Sequence, residues 1–122
     1  MVTNKTTLIL GATSNPSRYA YMAANQLVKN GHKIINVGIK TGDVAGVKIE
    51  TASKIHQNIH TITLYIGTAH QPQLYNYIIA TQPKRIIFNP GTENSELEKL
   101  AKQNGIETLQ ACTLVLLATK QY

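Results

Sequence analysis

The sequence predicts a Rossmann-like α/β domain, in which a doubly wound, mainly parallel sheet of about five strands has helices on both faces. Apolar, β-branched runs alternate with segments of helical periodicity, and the runs end at turns rich in glycine or asparagine. The first strand–helix–strand unit is about thirty residues long, which is typical of a right-handed parallel crossover. A chain of 122 residues can bury a core of its own, so we expect a single domain over residues 1–122.

The first unit begins with a strand at residues 7–10 and continues into a helix that ends near residue 31. Asn15 is a favourable N-cap and Pro16 a favourable first helical residue, so the pattern predicts that the helix begins there. Small and apolar side chains then recur at helical spacing and predict one buried stripe, which consists of Ala20, Ala23, Ala24, Leu27 and Val28.

The remaining elements continue the alternation of strands and helices. The pattern predicts further strands at residues 33–37, 47–49 (a brief edge strand), 61–66, 85–88 and 106–109. It predicts further helices at residues 73–81, 95–104 and 112–119, and a short helix or turn at 53–58.

Charge and composition narrow the classes of partner. The net charge is +6, yet the lysines and arginines are scattered and no aromatic residues accompany them, so we expect no nucleic-acid partner. Four of the six acidic residues lie in the last third of the chain, which leaves the first two thirds basic and suited to an anionic small ligand. No apolar run approaches a membrane span, no secretory signal is apparent, and Cys112 is the one cysteine. These features predict a cytoplasmic protein with no membrane partner.

The candidate ligand site lies where the predicted strands end. In doubly wound sheets, ligands bind beyond the carboxyl ends of the strands, near the switch point beside the first strand. Four predicted strand ends converge there, at residues 11–18, 37–40, 67–70 and 89–92. The first of these turns leads into a helix N-terminus, where backbone N–H groups and the helix dipole favour phosphate. The sequence therefore predicts a phosphorylated, nucleotide-like ligand at residues 11–18.

Two features argue against a standard NAD site. Only Gly11 occupies a glycine position of the dinucleotide fingerprint, and Thr13 and Pro16 stand at the other two positions. The end of the second strand has no acid to bind a ribose hydroxyl and has Lys40 instead, which suits a phosphorylated ribose. Coenzyme A and NADP both meet this condition. Arg18, in the predicted first helical turn, and Lys40 either face such a phosphate or are solvated surface residues.

No residue pattern in the chain points to catalysis or to a metal. His70 is the histidine predicted at a ligand-side strand end, and no Asp or Glu lies within ten residues of it to act as its partner. Cys112 opens a predicted helix, but its apolar neighbours favour a buried structural thiol. No pair of His or Cys residues has the spacing of metal ligands. We therefore expect neither a catalytic residue nor a metal site.

Several motifs together resemble one known family. They are Gly11 with the segment 14–18, Tyr21, Gly31 before the strand at 34–37, the segment 46–49, and the turn 88–91 with Glu93-Asn94. In this pattern the chain is similar to the small stand-alone CoA-binding domain proteins, which resemble the nucleotide-binding N-terminal domain of the succinyl-CoA synthetase alpha subunit. Cys112 also falls where many members have a cysteine.

The chain departs from the family pattern at three places. The segment 37–39 is Val-Gly-Ile where the family usually has Val-Asn-Pro, Asn89 replaces a glutamine, and Tyr19 stands where proline is common. The first change affects the expected adenine and ribose contacts, whereas the turn at 11–18 is better preserved.

The resemblance implies that the chain binds coenzyme A or an acyl-CoA, and the implied contacts are Gly11, Ala12, Thr13, Asn15, Arg18 and Lys40. The converging strand ends add four further candidate binding residues, namely Ser14, Gly67, Thr68 and Gly91. The favoured function is a CoA-binding module without catalytic machinery of its own, such as a sensor or carrier. Two alternatives stay open. One is an NADP-linked oxidoreductase or small CoA-dependent transferase, and the other is a protein-interaction module that has lost its ligand. A protein partner is compatible with these alternatives, and the sequence sets no oligomeric state.

Overall fold

The structure, a computed structural model, describes residues 4–122. Its strands are β1 (Thr7–Leu10), β2 (Ile34–Val37), β3 (Asp43–Val44), β4 (Val47–Glu50), β5 (Thr61–Leu64), β6 (Arg85–Phe88) and β7 (Glu107–Gln110). Its helices are α1 (Tyr19–Lys29), α2 (Tyr75–Thr81), α3 (Ser95–Gln103) and α4 (Thr113–Ala118), and two 3-10 turns at Thr68–His70 and Pro72–Leu74 precede α2. Among these elements, no helix has both the length and the apolar character needed to cross a membrane.

The strands form one sheet in the order β3-β4-β2-β1-β5-β6-β7. All neighbouring strands are parallel except β3 and β4, which form an antiparallel hairpin. The prediction of an α/β fold with a mainly parallel, Rossmann-like sheet is confirmed. The predicted count of about five strands is wrong, because the sheet has seven.

The strand that no predicted segment covers is β3, and it arises from a tight turn that the sequence analysis missed. Ala45 and Gly46 both have positive φ, at 54° and 79°, so a two-residue turn reverses the chain and pairs Val44 with Val47. The buried Asn36 of β2 holds this hairpin, since its Nδ2 donates to the carbonyl oxygens of Val44 at 3.2 Å and Val47 at 3.0 Å. The edge of the sheet therefore depends on a contact between separate parts of the chain.

The core lies on both faces of the sheet, because successive strand residues point to opposite sides. On one face, Ile9 packs with Ala24 and Leu27 of α1 and with Leu117 of α4. On the other face, apolar residues of β1, β5 and β6 pack against α2 and α3, and this cluster includes Leu8, Leu10, Ile62, Ile86, Phe88, Ile78 and Leu97. The predicted placement of helices on both faces is confirmed.

Helix α1 begins later than the sequence predicts. Arg18 is its N-cap residue, with extended φ and ψ of −97° and 147°, and Tyr19 is the first helical residue. Asn15 instead closes a turn before the helix, where its Oδ1 accepts from the N–H of Ser17 at 3.0 Å and its carbonyl oxygen accepts from the N–H of Arg18 at 3.1 Å. The predicted N-cap role of Asn15 is therefore wrong.

The stripe predicted for α1 is confirmed for four of its members and wrong for Val28. The buried residues of the helix are Ala20, Ala23, Ala24 and Leu27, whereas Val28 is 43% exposed. One residue corresponds to about 100° of rotation around a helix, so the position after the inward-facing Leu27 turns toward solvent.

Candidate functional site

The strand order defines a switch point between β1 and β5. The connection from β1 leads toward β2 on one side, and the chain later returns to pair β5 with the other side of β1. In doubly wound sheets the crevice beyond the carboxyl ends at such a point is the usual ligand site. The candidate residues from the sequence all lie on loops beyond these carboxyl ends: Gly11, Ala12, Thr13, Ser14 and Asn15 with Arg18 after β1, Lys40 after β2, Gly67 and Thr68 after β5, and Gly91 after β6.

The loop after β1 is folded tightly against its neighbours. Gly11 has a φ of +102°, and a Cβ at this position would lie 2.9 Å from the backbone carbonyl group of Tyr65. The N–H groups of Gly11 and Ala12 both donate to the carbonyl oxygen of Val37 at 2.9 Å. These two residues therefore fix the shape of the loop, and their backbone donors are used within the protein.

The next part of the same loop has open donors. Among residues 4–122, no acceptor receives a hydrogen bond from the N–H groups of Thr13 and Ser14. The Thr13 hydroxyl accepts from the N–H of Asn15 at 3.1 Å, which holds the turn in shape. Arg18 is exposed, and it forms no ion pair with any described carboxylate. A group of N–H donors beside a free guanidinium is a favourable environment for phosphate.

The loop after β2 packs directly on the loop after β1. A Cβ at Gly38 would lie 2.3 Å from the carbonyl oxygen of Ala12, so this position accepts no side chain without a backbone shift. Gly42, with φ of +149°, also lies close to Ser14, since a Cβ at Gly42 would lie 3.3 Å from the Ser14 hydroxyl oxygen. Lys40 lies in this loop, is exposed, and forms no ion pair within the described part of the chain. Lys40 and the open donors thus lie on two loops in mutual contact.

The loops after β5 and β6 are bonded to each other. The Thr68 hydroxyl donates to the backbone carbonyl oxygen of Glu93 at 2.8 Å, and the N–H of Gly91 donates to the Glu93 carboxylate at 2.8 Å. Gly67, Thr68 and Gly91 are exposed at the surface of this pair of loops. The Thr68 bond joins the two loops, the Gly91 bond lies within the loop after β6, and both of these polar groups therefore already have protein partners.

A buried amide network lies beneath these loops, and the sequence analysis missed it. Gln71 is fully buried, its Nε2 donates to the carbonyl oxygens of Ile66 and Thr92 at 2.8 Å, and its Oε1 accepts from Asn94 Nδ2 at 2.8 Å. Asn89 Nδ2 donates to the Thr63 hydroxyl and to the Leu64 carbonyl oxygen at 2.8 and 2.9 Å, and its Oδ1 accepts from the N–H of Thr113 at 2.9 Å. No local signal identifies such residues, because their partners lie 5 to 26 positions away along the chain.

A second missed feature is the pair formed by Glu50 and His56. Glu50 ends β4, and its carboxylate is hydrogen-bonded to Nε2 of His56, which lies in the loop that follows. The N–H of Gly38 donates to the backbone carbonyl oxygen of Glu50 at 2.9 Å, which brings the pair to the loop after β2. A histidine oriented by a carboxylate is an arrangement used in proton transfer. The separation of six residues across a turn was the available sequence signal.

The other titratable groups near the crevice are less suited to act as catalytic acids, bases or nucleophiles. Burial raises the pKa of Tyr65 to about 12, so this residue keeps its proton at neutral pH. Cys112 is half-buried at the N-cap of α4, and His70 is exposed. Among residues 4–122, no cluster of three or more His, Cys, Asp or Glu side chains has an arrangement that could hold a metal ion.

An open groove lies beside the crevice, between α1 and α4. Its volume is about 490 Å³, and Pro16 connects it to the loop after β1. The other lining residues are Tyr21, Met22, Asn25, Gln26 and Leu114. The groove is mainly apolar and opens to solvent.

The comparisons with known proteins agree with this fold. The chain matches the family described as "CoA binding domain" over residues 5–118, and it therefore belongs to the CoA-binding domain family. The resemblance inferred from the sequence motifs is confirmed at this level. Family membership supports a small-molecule nucleotide ligand and, at a coarse level, coenzyme A as that ligand. The comparison with curated proteins gives no match.

Three solved structures illustrate the likeness. One, described as the crystal structure of an uncharacterized protein, is 48% identical, covers 98% of this chain and 99% of its own, and superposes with a TM-score of 0.96. A Thermus thermophilus protein described as cell-free ID.343 is 20% identical over 98% of this chain and 91% of its own, with a TM-score of 0.86. A hypothetical protein from Pyrococcus horikoshii OT3 is 22% identical over 97% of this chain and 83% of its own, with a TM-score of 0.83. The last two show that the fold is shared.

Proposed function

We propose that the chain binds coenzyme A or an acyl-CoA reversibly at the carboxyl edge of the sheet, as a sensor or carrier without a reaction of its own. One observation supports this most directly. The exposed and unpaired cations Arg18 and Lys40 flank a turn in which the N–H groups of Thr13 and Ser14 have no acceptor among residues 4–122. The pyrophosphate would take the open donors and Arg18, and the 3′-phosphate would take Lys40.

The charges favour this assignment for a physical reason. A cation next to a helix N-terminus is unfavourable by itself, by about 0.3–1 kcal/mol, because the dipole there is positive. A bound pyrophosphate removes this penalty, since it places negative charge between the guanidinium of Arg18 and the first turn of α1.

NADP is the second candidate ligand, and the one feature that favours it is the unpaired Lys40. Its ammonium group suits the 2′-phosphate of NADP as well as the 3′-phosphate of coenzyme A. The shape of the loops argues for coenzyme A. Only Gly11 of the dinucleotide fingerprint is present, and the N–H groups of Gly11 and Ala12 donate to the Val37 carbonyl oxygen.

Titration calorimetry with CoA, dephospho-CoA, acetyl-CoA and NADPH tests the proposal. We expect binding of CoA and acetyl-CoA, weaker binding of dephospho-CoA, and no binding of NADPH. Absence of a CoA signal up to millimolar ligand would refute the proposal. An NADPH signal without a CoA signal would establish the alternative ligand.

Two variants separate the roles of the cations. Lys40→Gln should weaken CoA binding about fivefold and leave dephospho-CoA binding unchanged, because one partly screened ion pair is lost. Arg18→Gln should weaken both ligands by about tenfold, because its charge-assisted bonds serve the pyrophosphate common to both. Lys99→Gln, at an exposed position on α3, is the matched control and should change neither affinity. If Lys40→Gln weakens both ligands equally, the assignment of the 3′-phosphate is wrong.

A further inference from the structure

The groove between α1 and α4 begins at the loop of the proposed CoA site. Pro16 belongs both to that loop and to the groove lining, and it follows Ser14 by two positions. The N–H of Ser14 has no acceptor among residues 4–122. The groove therefore adjoins the position proposed for the pyrophosphate.

One side of α1 forms a wall of this groove. Tyr21 lies four positions before Asn25, and Met22 lies four positions before Gln26, so the two pairs form adjacent rows on consecutive turns of the helix. From the start of α1 to Gln26 the helix axis is about 10 Å long. Leu114 of α4 also lines the groove, whose volume is about 490 Å³. This volume lies within the range of about 300–1,000 Å³ that is typical of small-molecule sites.

The lining of the groove is uncharged and combines apolar side chains with free polar groups. None of its six residues is acidic or basic, whereas Arg18 and Lys40 lie at the adjacent carboxyl edge of the sheet. The Tyr21 hydroxyl and the Gln26 side-chain amide form no hydrogen bond within residues 4–122. Asn25 Nδ2 donates to the Tyr21 carbonyl oxygen at 3.1 Å, which leaves the Asn25 Oδ1 free to accept. The groove therefore suits a neutral ligand that has both apolar and amide groups.

Coenzyme A contains a segment of this chemistry, the pantetheine arm between its pyrophosphate and its thiol. The arm is uncharged and carries two amides, a hydroxyl and a pair of geminal methyl groups. Its amides can exchange hydrogen bonds with Asn25 and Gln26. Its methyl groups can pack on Met22, which is 37% exposed and whose flexible thioether adapts to irregular apolar surfaces. The groove thus matches the arm in charge and in the kinds of group that it offers.

We propose that the groove binds the pantetheine arm of coenzyme A, so that the arm turns from the loop after β1 onto the side of α1. This inference rests on the proposed function, because it places the remaining part of the same ligand. The other path for the arm leads over the loops after β5 and β6, which offer fewer free polar groups. There the Thr68 hydroxyl and the Gly91 N–H already donate to Glu93.

NMR of the methionine methyl groups tests the contact directly. Met1 and Met22 are the two methionines of the sequence, so ¹³C labelling of methionine methyl groups gives a simple spectrum, and Met22→Leu assigns it. With saturating CoA we expect a nuclear Overhauser effect between the Met22 methyl group and the geminal methyl groups of the arm. We expect a saturable shift of the Met22 signal with CoA, and a smaller shift with 3′-phospho-ADP, which is coenzyme A without the arm.

Variants of the groove complete the test in titration calorimetry with the same two ligands. Gln26→Ala should weaken CoA binding about threefold, as expected for the loss of one solvent-exposed hydrogen bond. Met22→Ala should weaken it about fivefold, because the arm loses apolar contacts. Neither variant should change the affinity for 3′-phospho-ADP. Gln103→Ala, the same substitution at an exposed position on α3, is the matched control and should change neither affinity.

The outcomes separate this inference from the proposed function. If CoA binds without the Met22 contact, or if the groove variants weaken both ligands equally, the inference is wrong and CoA binding still stands. Absence of CoA binding to the wild type refutes both. A Met22 signal that shifts with protein concentration in the absence of ligand would assign the groove to a second copy of this chain and would also refute the inference.

Discussion

The loops at the carboxyl edge of the sheet form two halves that differ in how their polar groups are used. In the first half, after β1 and β2, the N–H groups of Thr13 and Ser14 lack acceptors within residues 4–122. In the second half, after β5 and β6, Thr68 and Gly91 both donate to Glu93. Turns of similar composition therefore differ in the state of their polar groups. In the first half backbone N–H donors remain free for a ligand, whereas in the second half the donors are used in hydrogen bonds within the protein.

The largest expected effect on stability comes from a substitution that removes hydrogen bonds from the second half of these loops. Asn89→Ala should lower the free energy of unfolding by about 3 kcal/mol, because the buried Thr113 N–H and the Leu64 carbonyl lose a partner. Urea denaturation measures this loss. Calorimetry well below the melting temperature should give a CoA affinity equal to that of the wild type. Lower affinity at unchanged stability would show that the second half contacts the ligand.

A somewhat smaller effect is expected from a matched pair of glycine variants, one in each half. Gly38→Ala should cost about 2 kcal/mol and weaken CoA binding, because its Cβ would lie 2.3 Å from the Ala12 carbonyl oxygen and displace the loop with the open donors. Gly67→Ala should change stability by less than about 0.5 kcal/mol, since a Cβ there has no heavy atom within 4 Å and φ is −59°. Equal losses of CoA affinity in the two variants would contradict the difference between the halves.

Thr68→Val probes the contact between the loops of the second half more gently. The variant loses one exposed hydrogen bond to the Glu93 carbonyl oxygen, so a loss of about 0.5–1 kcal/mol is expected in thermal or urea unfolding. CoA binding should not change. A tenfold weaker affinity would instead make the Thr68 hydroxyl a ligand contact, as the sequence predicts.

The smallest effect concerns the histidines at the opposite edge of the sheet. Burial, with the charges of Lys5 and Arg85, holds the pKa values of His32 and His60 below 6.5 in the folded protein. The unfolded chain therefore binds more protons at mildly acidic pH, and the free energy of unfolding should fall as pH drops through the unfolded value near 6.5. His32→Asn should reduce this slope in urea titrations from pH 7.5 to 5. The control Gln103→Asn, at an exposed position that does not titrate, should leave the slope unchanged.

The local sequence pattern was sufficient to predict most of the fold. The strands at residues 7–10 and 85–88 were predicted with the bounds that the structure has, because short β-branched runs between turns indicate buried strands. The start of α1 was predicted too early. The Asn15-Pro16 pair satisfies the rules for a helix start, yet the Asn15 side chain bonds to Ser17 and forms a separate turn. Both structures are locally favourable, so sequence patterns alone do not choose between them.

The sequence by itself determined the class of fold, the edge of the sheet that holds the candidate site, and the family. Periodicity, glycine turns and the positions of Arg18 and Lys40 are local properties, and they remain visible without coordinates. The tertiary structure alone decided which donors stay open and which are used, and it assembled the amide network of Gln71 and Asn89. It also brought Arg85 next to Lys5 and Tyr122. These features depend on hydrogen bonds and charges between distant parts of the chain, which form only when the sheet brings those parts together.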